Sequence, residues 1–216
     1  MMLSDMRFMG LALGLTMMTL GPGMSDAQAQ RAATGPPDWP CVQRLIPELA
    51  WGTIWAGPSP EALERAWWED EEVGRVVRFA TSRETPRDEA LQRVGDFVAQ
   101  VASQPEADRE PRLTLLFAGL FERVNRERSR VIERIRAASR GQVKRLDRLA
   151  GLIDELEALR ASSEASGDDI EQLRQELHWE KRTFQKRQQL LPVLCEKPYL
   201  IEEELSRMVR MIRSEL

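Results

Sequence analysis

The sequence predicts an all-α protein: short helices leading into a long antiparallel coiled-coil hairpin, a C-terminal helix, and a mostly irregular N-terminal arm. Three observations carry this. Apolar residues recur in steps of three and four through most of the second half of the chain. Charged residues make up 31% of the 216 positions and β-branched runs are nearly absent, a composition of helices and coiled coil. Helix starts are also written out, as a hydroxyl followed by proline and an acid at Ser59-Pro60-Glu61 and again at Thr85-Pro86-Arg87-Asp88.

Residues 1–29 read as a secretory signal peptide. Arg7 supplies the basic n-region, Phe8 to Leu20 the apolar run and Gly21-Pro22-Gly23 the break. Ala27-Gln28-Ala29 fits a small-x-small rule with cleavage after Ala29. An apolar run of about 13 residues is short of the ~20 that span a bilayer. No later stretch is apolar for longer, so no transmembrane segment is expected after cleavage. Lysine occurs only at Lys144, Lys181, Lys186 and Lys197 while arginine is abundant, which fits a GC-rich bacterial genome. The expected location is the periplasm, with secretion as the second choice.

Residues 30–58 form a Pro/Trp-rich arm. Gly35-Pro36-Pro37, Pro40, Pro47 and Gly57-Pro58 exclude long regular structure, yet Trp39, Trp51, Trp55, Leu45 and Ile46 give it an apolar load that a disordered tail lacks. The arm is expected to wrap onto the helical body, its tryptophans packing rather than binding a ligand. Cys41 and Cys195 are the only cysteines. Behind an export signal, an even pair implies one intramolecular bridge. Closing so long a loop stabilises by about 5 kcal/mol in the chain-entropy model.

From Ser59 a helix is expected to carry Leu63, Trp67 and Trp68, followed by a helical stretch from Val73 to Ala80. Leu91, Val94, Val98 and Val101 then mark one face of a helix ended by Gln104-Pro105. From Arg112 the pattern lengthens. Phe117, Phe121, Val124, Arg128, Val131, Ile135 and Ala138 form a heptad seam with one basic interruption. Beyond Gln142 the apolar positions read as Leu146, Leu149, Ile153 and Leu156, which implies a stutter beside Gly141.

Ser166-Gly167-Asp168-Asp169 supplies a turn and a new N-cap. The return arm keeps strict register through Ile170, Leu173, Leu177, Glu180, Phe184, Arg187, Leu191, Leu194, Ile201, Leu205, Met208 and Ile212. Pro192 and Pro198 should break or kink it. An antiparallel hairpin turning near residue 165 pairs positions whose numbers sum to roughly 330. The resulting organisation is a helical base with the first part of the hairpin arm over 59–141, a projecting tip over 142–190, and a C-terminal segment over 191–216 that completes the base.

Chemistry is sparse. His178 is the single histidine, set in the coil far from either cysteine, so no nucleophile–base pair is evident and no enzyme is expected. No phosphate loop, zinc spacing or calcium loop appears, and no cofactor is implied. The formal charge of −4 carries no commitment to nucleic acid, which export also disfavours.

Charge is nonetheless polarised along the hairpin. Residues 122–148 hold ten cations against four acids, a net of about +6, and residues 154–176 eight acids against two cations, a net of about −6. The leading expectation is therefore a non-catalytic periplasmic interaction, accessory or assembly factor. Its docking residues would be Arg126, Arg130, Arg134, Lys181 and Arg182 on the basic shaft, with Asp154, Glu157, Asp168 and Asp169 at the acidic tip. The partner would be an acidic protein or anionic lipid headgroups. The alternative is a small-molecule or metal sensor built on the tryptophan-rich arm and the run Glu69-Asp70-Glu71-Glu72. Self-association through the seam is a further expectation, because Glu180 and Arg187 need partners there.

Overall fold

The computed structural model describes residues 35–216, so the expected signal segment over 1–29 and the start of the arm lie outside the described residues. After two short 3-10 turns, Trp51–Thr53 and Pro60–Ala62, come four helices: α1 (Glu71–Ala80), α2 (Arg87–Ala102), α3 (Glu106–Ala161) and α4 (Gly167–Arg213). Among the described residues the fold is all-α.

The helix expected from Ser59 does not form. Ser59 does accept from the Glu61 amide, but the turn ends at Ala62 and Leu63 is extended. The chain instead carries Trp67 into a slot against α3, where a Cβ on Gly119 would lie 2.9 Å from the indole and 2.8 Å from Val77. Trp67 Nε1 donates to Glu122 at 2.8 Å. Burying an indole outweighs the few tenths of a kcal/mol per residue of local helix preference. The true start of α1 is Asp70, whose carboxylate accepts from the Glu72 and Val73 amides.

The main core gathers at one end of the molecule. Leu113, Leu115, Leu116, Phe117 and Leu120 of α3 meet Val73 and Val77 of α1, Val94, Phe97 and Val101 of α2, and Leu205, Met208 and Ile212 of α4. Trp55 of the arm stacks on Phe117 with ring centroids 4.1 Å apart and planes 6° from parallel. The arm's tryptophans thus serve packing.

Beyond this core α3 and α4 run on as an antiparallel hairpin. Its register agrees with the pairing read from the sequence: Arg128 meets Glu202, Gln142 meets Phe184 and Gln188, and Arg148 meets Glu176. Two local expectations are corrected. The α3 seam has no stutter; it continues in the same phase through Gln142, Arg145, Leu149, Leu152 and Leu156, while Leu146 and Ile153 are exposed. Two polar side chains in the seam, Gln142 and Arg145, disguise its continuity, and apolar residues one position off it imitate a shift.

The second correction concerns the prolines. Neither breaks α4, which is one continuous helix through both, so the return arm and the C-terminal helix are a single element. Consequently Glu202, Glu203 and Glu204 sit inside a helix, about ten residues before its C-terminal end.

Candidate docking surfaces of the hairpin

Cys41 and Cys195 are bonded, with Cα atoms 5.6 Å apart across 154 positions. The bridge joins the arm to α4 midway between Pro192 and Pro198, the stretch where two backbone N–H donors are missing. Trp39, Val131, Ile135, Leu194 and Ile201 surround it as a small second core. Ionic contacts extend the clamp on both sides. Asp38 accepts from Arg136 at 3.0 Å and Arg140 at 2.5 Å, and the Arg136 hydrogen bond above all holds its carboxyl below the usual range. Arg128, the basic interruption in the seam, is buried; it donates to the Ile46 carbonyl at 2.6 Å and pairs with Glu202. Leu49 is held by Asn125 at 3.0 Å.

Further out the hairpin has a polar waist. Gln142 donates to the Phe184 carbonyl and to Gln188, and Arg145 pairs with Glu180, which Arg148 also approaches. Gln142 Oε1 and Arg145 Nε are buried without a hydrogen-bond partner among the described residues. Every residue from 185 to 190 is exposed, Arg187 included. Past the waist a third apolar cluster of Leu152, Leu156 and Leu173, with Leu159, Ile170 and Leu177, closes the tip. Glu180 therefore finds its partners within the hairpin, whereas Arg187 makes no ion pair among the described residues.

The expected docking residues divide into two groups. Arg126 is engaged with Glu122 at 2.5 Å, and Arg130 lies 3.6 Å from Glu127. Asp169 shares the α4 cap with Ser166. Arg134, Lys181, Arg182, Asp154, Glu157 and Asp168 are exposed, and among the described residues none makes an ion pair. The acidic run by Trp67-Trp68 is occupied internally. Glu69 accepts from the Ala66 amide, Asp70 caps α1 and approaches Arg112, Glu71 pairs with Arg75, and Glu72 pairs with Arg112 and Gln100. The Arg112 contact chiefly pulls the Glu72 carboxyl below its ordinary value. Among the described residues no three His, Cys, Asp or Glu side chains are grouped to hold a metal ion.

Sequence reasoning missed one surface. On α4, Trp179, Thr183, Lys186, Leu190, Val193, Lys197 and Leu200 recur in steps of four and three, which puts them on one face. Trp179 is 65% and Leu190 58% exposed, and Val193 and Leu200 are also exposed. Lys186 and Lys197 make no ion pair among the described residues. The signal was present as a second heptad-spaced run beside the seam in the same helix, but the stronger seam drew attention from it. His178 lies at the edge of this face with Arg182, Gln185 and Gln189, in a shallow depression.

Among the described residues no helix is long and apolar enough to cross a membrane. In comparisons with known proteins no family model matches the chain, and no curated protein or solved structure matches it significantly.

Proposed function

We propose that this chain is an exported, non-catalytic interaction protein whose hairpin docks an acidic protein surface bordered by apolar residues. The observation that carries the proposal is the α4 face, where Trp179, Leu190, Val193 and Leu200 stand exposed beside Lys186 and Lys197, which make no ion pair among the described residues. Exposed aromatic and aliphatic side chains in a contiguous stripe mark interaction sites, because solvating them is unfavourable. Interspersed lysines select an acidic partner and steer its approach. Export is supported by the signal-like segment 1–29 and by a disulfide of the kind that persists in oxidising compartments, and the periplasm is the compartment proposed.

The sensor reading has less behind it. The arm's tryptophans are used in packing and the acidic run in capping and ion pairs. The open cleft of about 520 Å³ between Leu63, Arg65, Glu110 and Thr114 is the one feature that favours it.

A photo-crosslinker at position 190, used in intact cells, tests the docking face. The captured protein, once purified, should bind the wild-type chain and lose at least about tenfold in affinity for Lys186→Glu/Lys197→Glu with helicity unchanged. Equal binding by the variant would remove the α4 face from consideration. Tight binding to anionic phospholipid vesicles with no captured protein would replace the protein partner by a lipid surface.

A further inference from the structure

In the base, α1 and α2 cover one side of the α3–α4 pair, and Val77 and Trp67 close over Gly119 of α3, which has no side chain to hold them off. Where that cover ends, Thr81, Ser82 and Arg83 form a hollow with Glu127 of α3 and Glu204 of α4. One heptad further out, the same side presents Arg134 and Lys197, and a second heptad out Gly141 and Leu190. Each pair is nearly level in the hairpin's register, so the four line one groove between the two helices. Among the described residues nothing lies over it.

The groove carries features that the rest of the chain leaves unused. Gly141 has nothing within 4 Å of where a Cβ would stand, although glycine weakens a helix interior relative to alanine. Ala137 and Ala138 precede it, so the α3 wall is low there. Leu190, on the opposite wall, is 58% exposed. Cations stand at both ends: Arg134 and Lys197 towards the base, and Arg187 towards the tip. All three are exposed and make no ion pair among the described residues, Glu180 being taken by Arg145 and Arg148. No acid stands free on either wall between them.

A low wall facing an exposed leucine lets another helix approach closely, as Gly119 does for Val77 of α1. From Arg134 to the level of Arg187 is about 15 Å along α3, or about three helical turns. We infer that the partner element docked by the hairpin is an acidic amphipathic helix, lying in this groove as the third helix of a bundle. Its apolar stripe covers Leu190 and Gly141, and its carboxylates meet Arg134 and Lys197 at one end and Arg187 at the other. Cations without free acids select that charge. The inference rests on the docking face proposed for α4 and extends it across the groove onto α3.

Photo-crosslinkers at positions 183 and 190 of the full chain, one heptad apart, test it on the protein captured through position 190. The two crosslinks should fall about seven residues apart along that protein, because a heptad of helix rises about 10.5 Å. An extended segment would give a spacing of about three. Gly141→Leu and Arg134→Glu should each weaken binding of the purified partner at least about tenfold. Gly151→Leu, on the side of α3 turned away from α4, should leave it unchanged. Both glycines face open space, so neither leucine should disturb the fold. A three-residue spacing, full binding by Gly141→Leu or Arg134→Glu, or an equal loss from Gly151→Leu would each overturn the third helix. If Lys186→Glu/Lys197→Glu still weakens binding, those outcomes leave the α4 face standing. Equal binding by that double variant, or no captured protein, removes both readings.

Discussion

Between Leu113 and Leu120, α3 is enclosed by α1, α2, the arm and the end of α4, and its leucines and Phe117 are at most 1% exposed. Between Leu149 and Leu156 the same helix meets, among the described residues, only α4, and Leu149, Leu152 and Leu156 keep 6–8% exposure. The base therefore buries α3 from several sides and the tip from one. The disulfide and the polar waist lie in between, one tightening the hairpin and the other loosening it. A long hairpin need not be uniformly stable. Its stability follows the number of elements packed on it, and the two-helix tip, with fewer buried contacts, belongs to the low-stability end.

The largest expected effect separates the two regions by redox state. Removing the bridge with Cys41→Ser/Cys195→Ser should cost up to about 5 kcal/mol, the chain-entropy value for so long a loop. The arm should detach before the tip loses helix. Tryptophan fluorescence and far-UV circular dichroism, followed together through denaturant, would show this as two separated transitions, and coincident loss would sink the clamp.

Next in size, Phe117→Ala should destabilise by about 4 kcal/mol, while Leu156→Ala should cost only about 2, near the lower end for leucine, because the tip can collapse onto fewer neighbours. Equal costs by chemical denaturation would mean the tip is as well packed as the base. A smaller effect is expected at the waist. Gln142→Leu removes a buried, half-satisfied amide and should stabilise by about 1 kcal/mol, while joining tip and base into one cooperative unit in hydrogen exchange.

The smallest effect is a pH dependence in the arm. Asp38 has its folded pKa depressed, chiefly by Arg136. Its contribution is thus complete above the ordinary aspartate value near 3.9 and is lost as pH falls through the lower folded value. With the disulfide reduced, Trp39 should report release of the arm only in that acid range, and Asp38→Asn should remove the pH dependence. A release midpoint above the ordinary value would contradict the ion pair as its cause.

Much of this was legible in the sequence. The return-arm register, the pairing of the two arms and the Cys41–Cys195 bridge all follow from spacing and cysteine count, because heptad periodicity and the number of cysteines are local properties. The α3 seam was misread where Gln142 and Arg145 occupy it, since hydropathy alone scores a polar seam residue as an outside position. The docking residues were legible only as charges. That Arg126 and Arg130 are engaged while Lys181 and Arg182 are not depends on which acids face them. The apolar face of α4 was overlooked because a second stripe on a helix becomes visible only once the first is known to be covered.

By itself the sequence determined the class, the hairpin, its register and the cross-link. Tertiary structure alone decided three things. Trp67 enters a slot at Gly119 in place of a local helix, because indole burial outweighs propensity. α4 passes through Pro192 and Pro198 unbroken, held there by α3 and by the bridge at Cys195. Among the described residues, apolar side chains on α3 (Val143, Leu146, Ile153) and on α4 (Trp179, Leu190, Val193) stay uncovered, because each helix can turn only one face to the other.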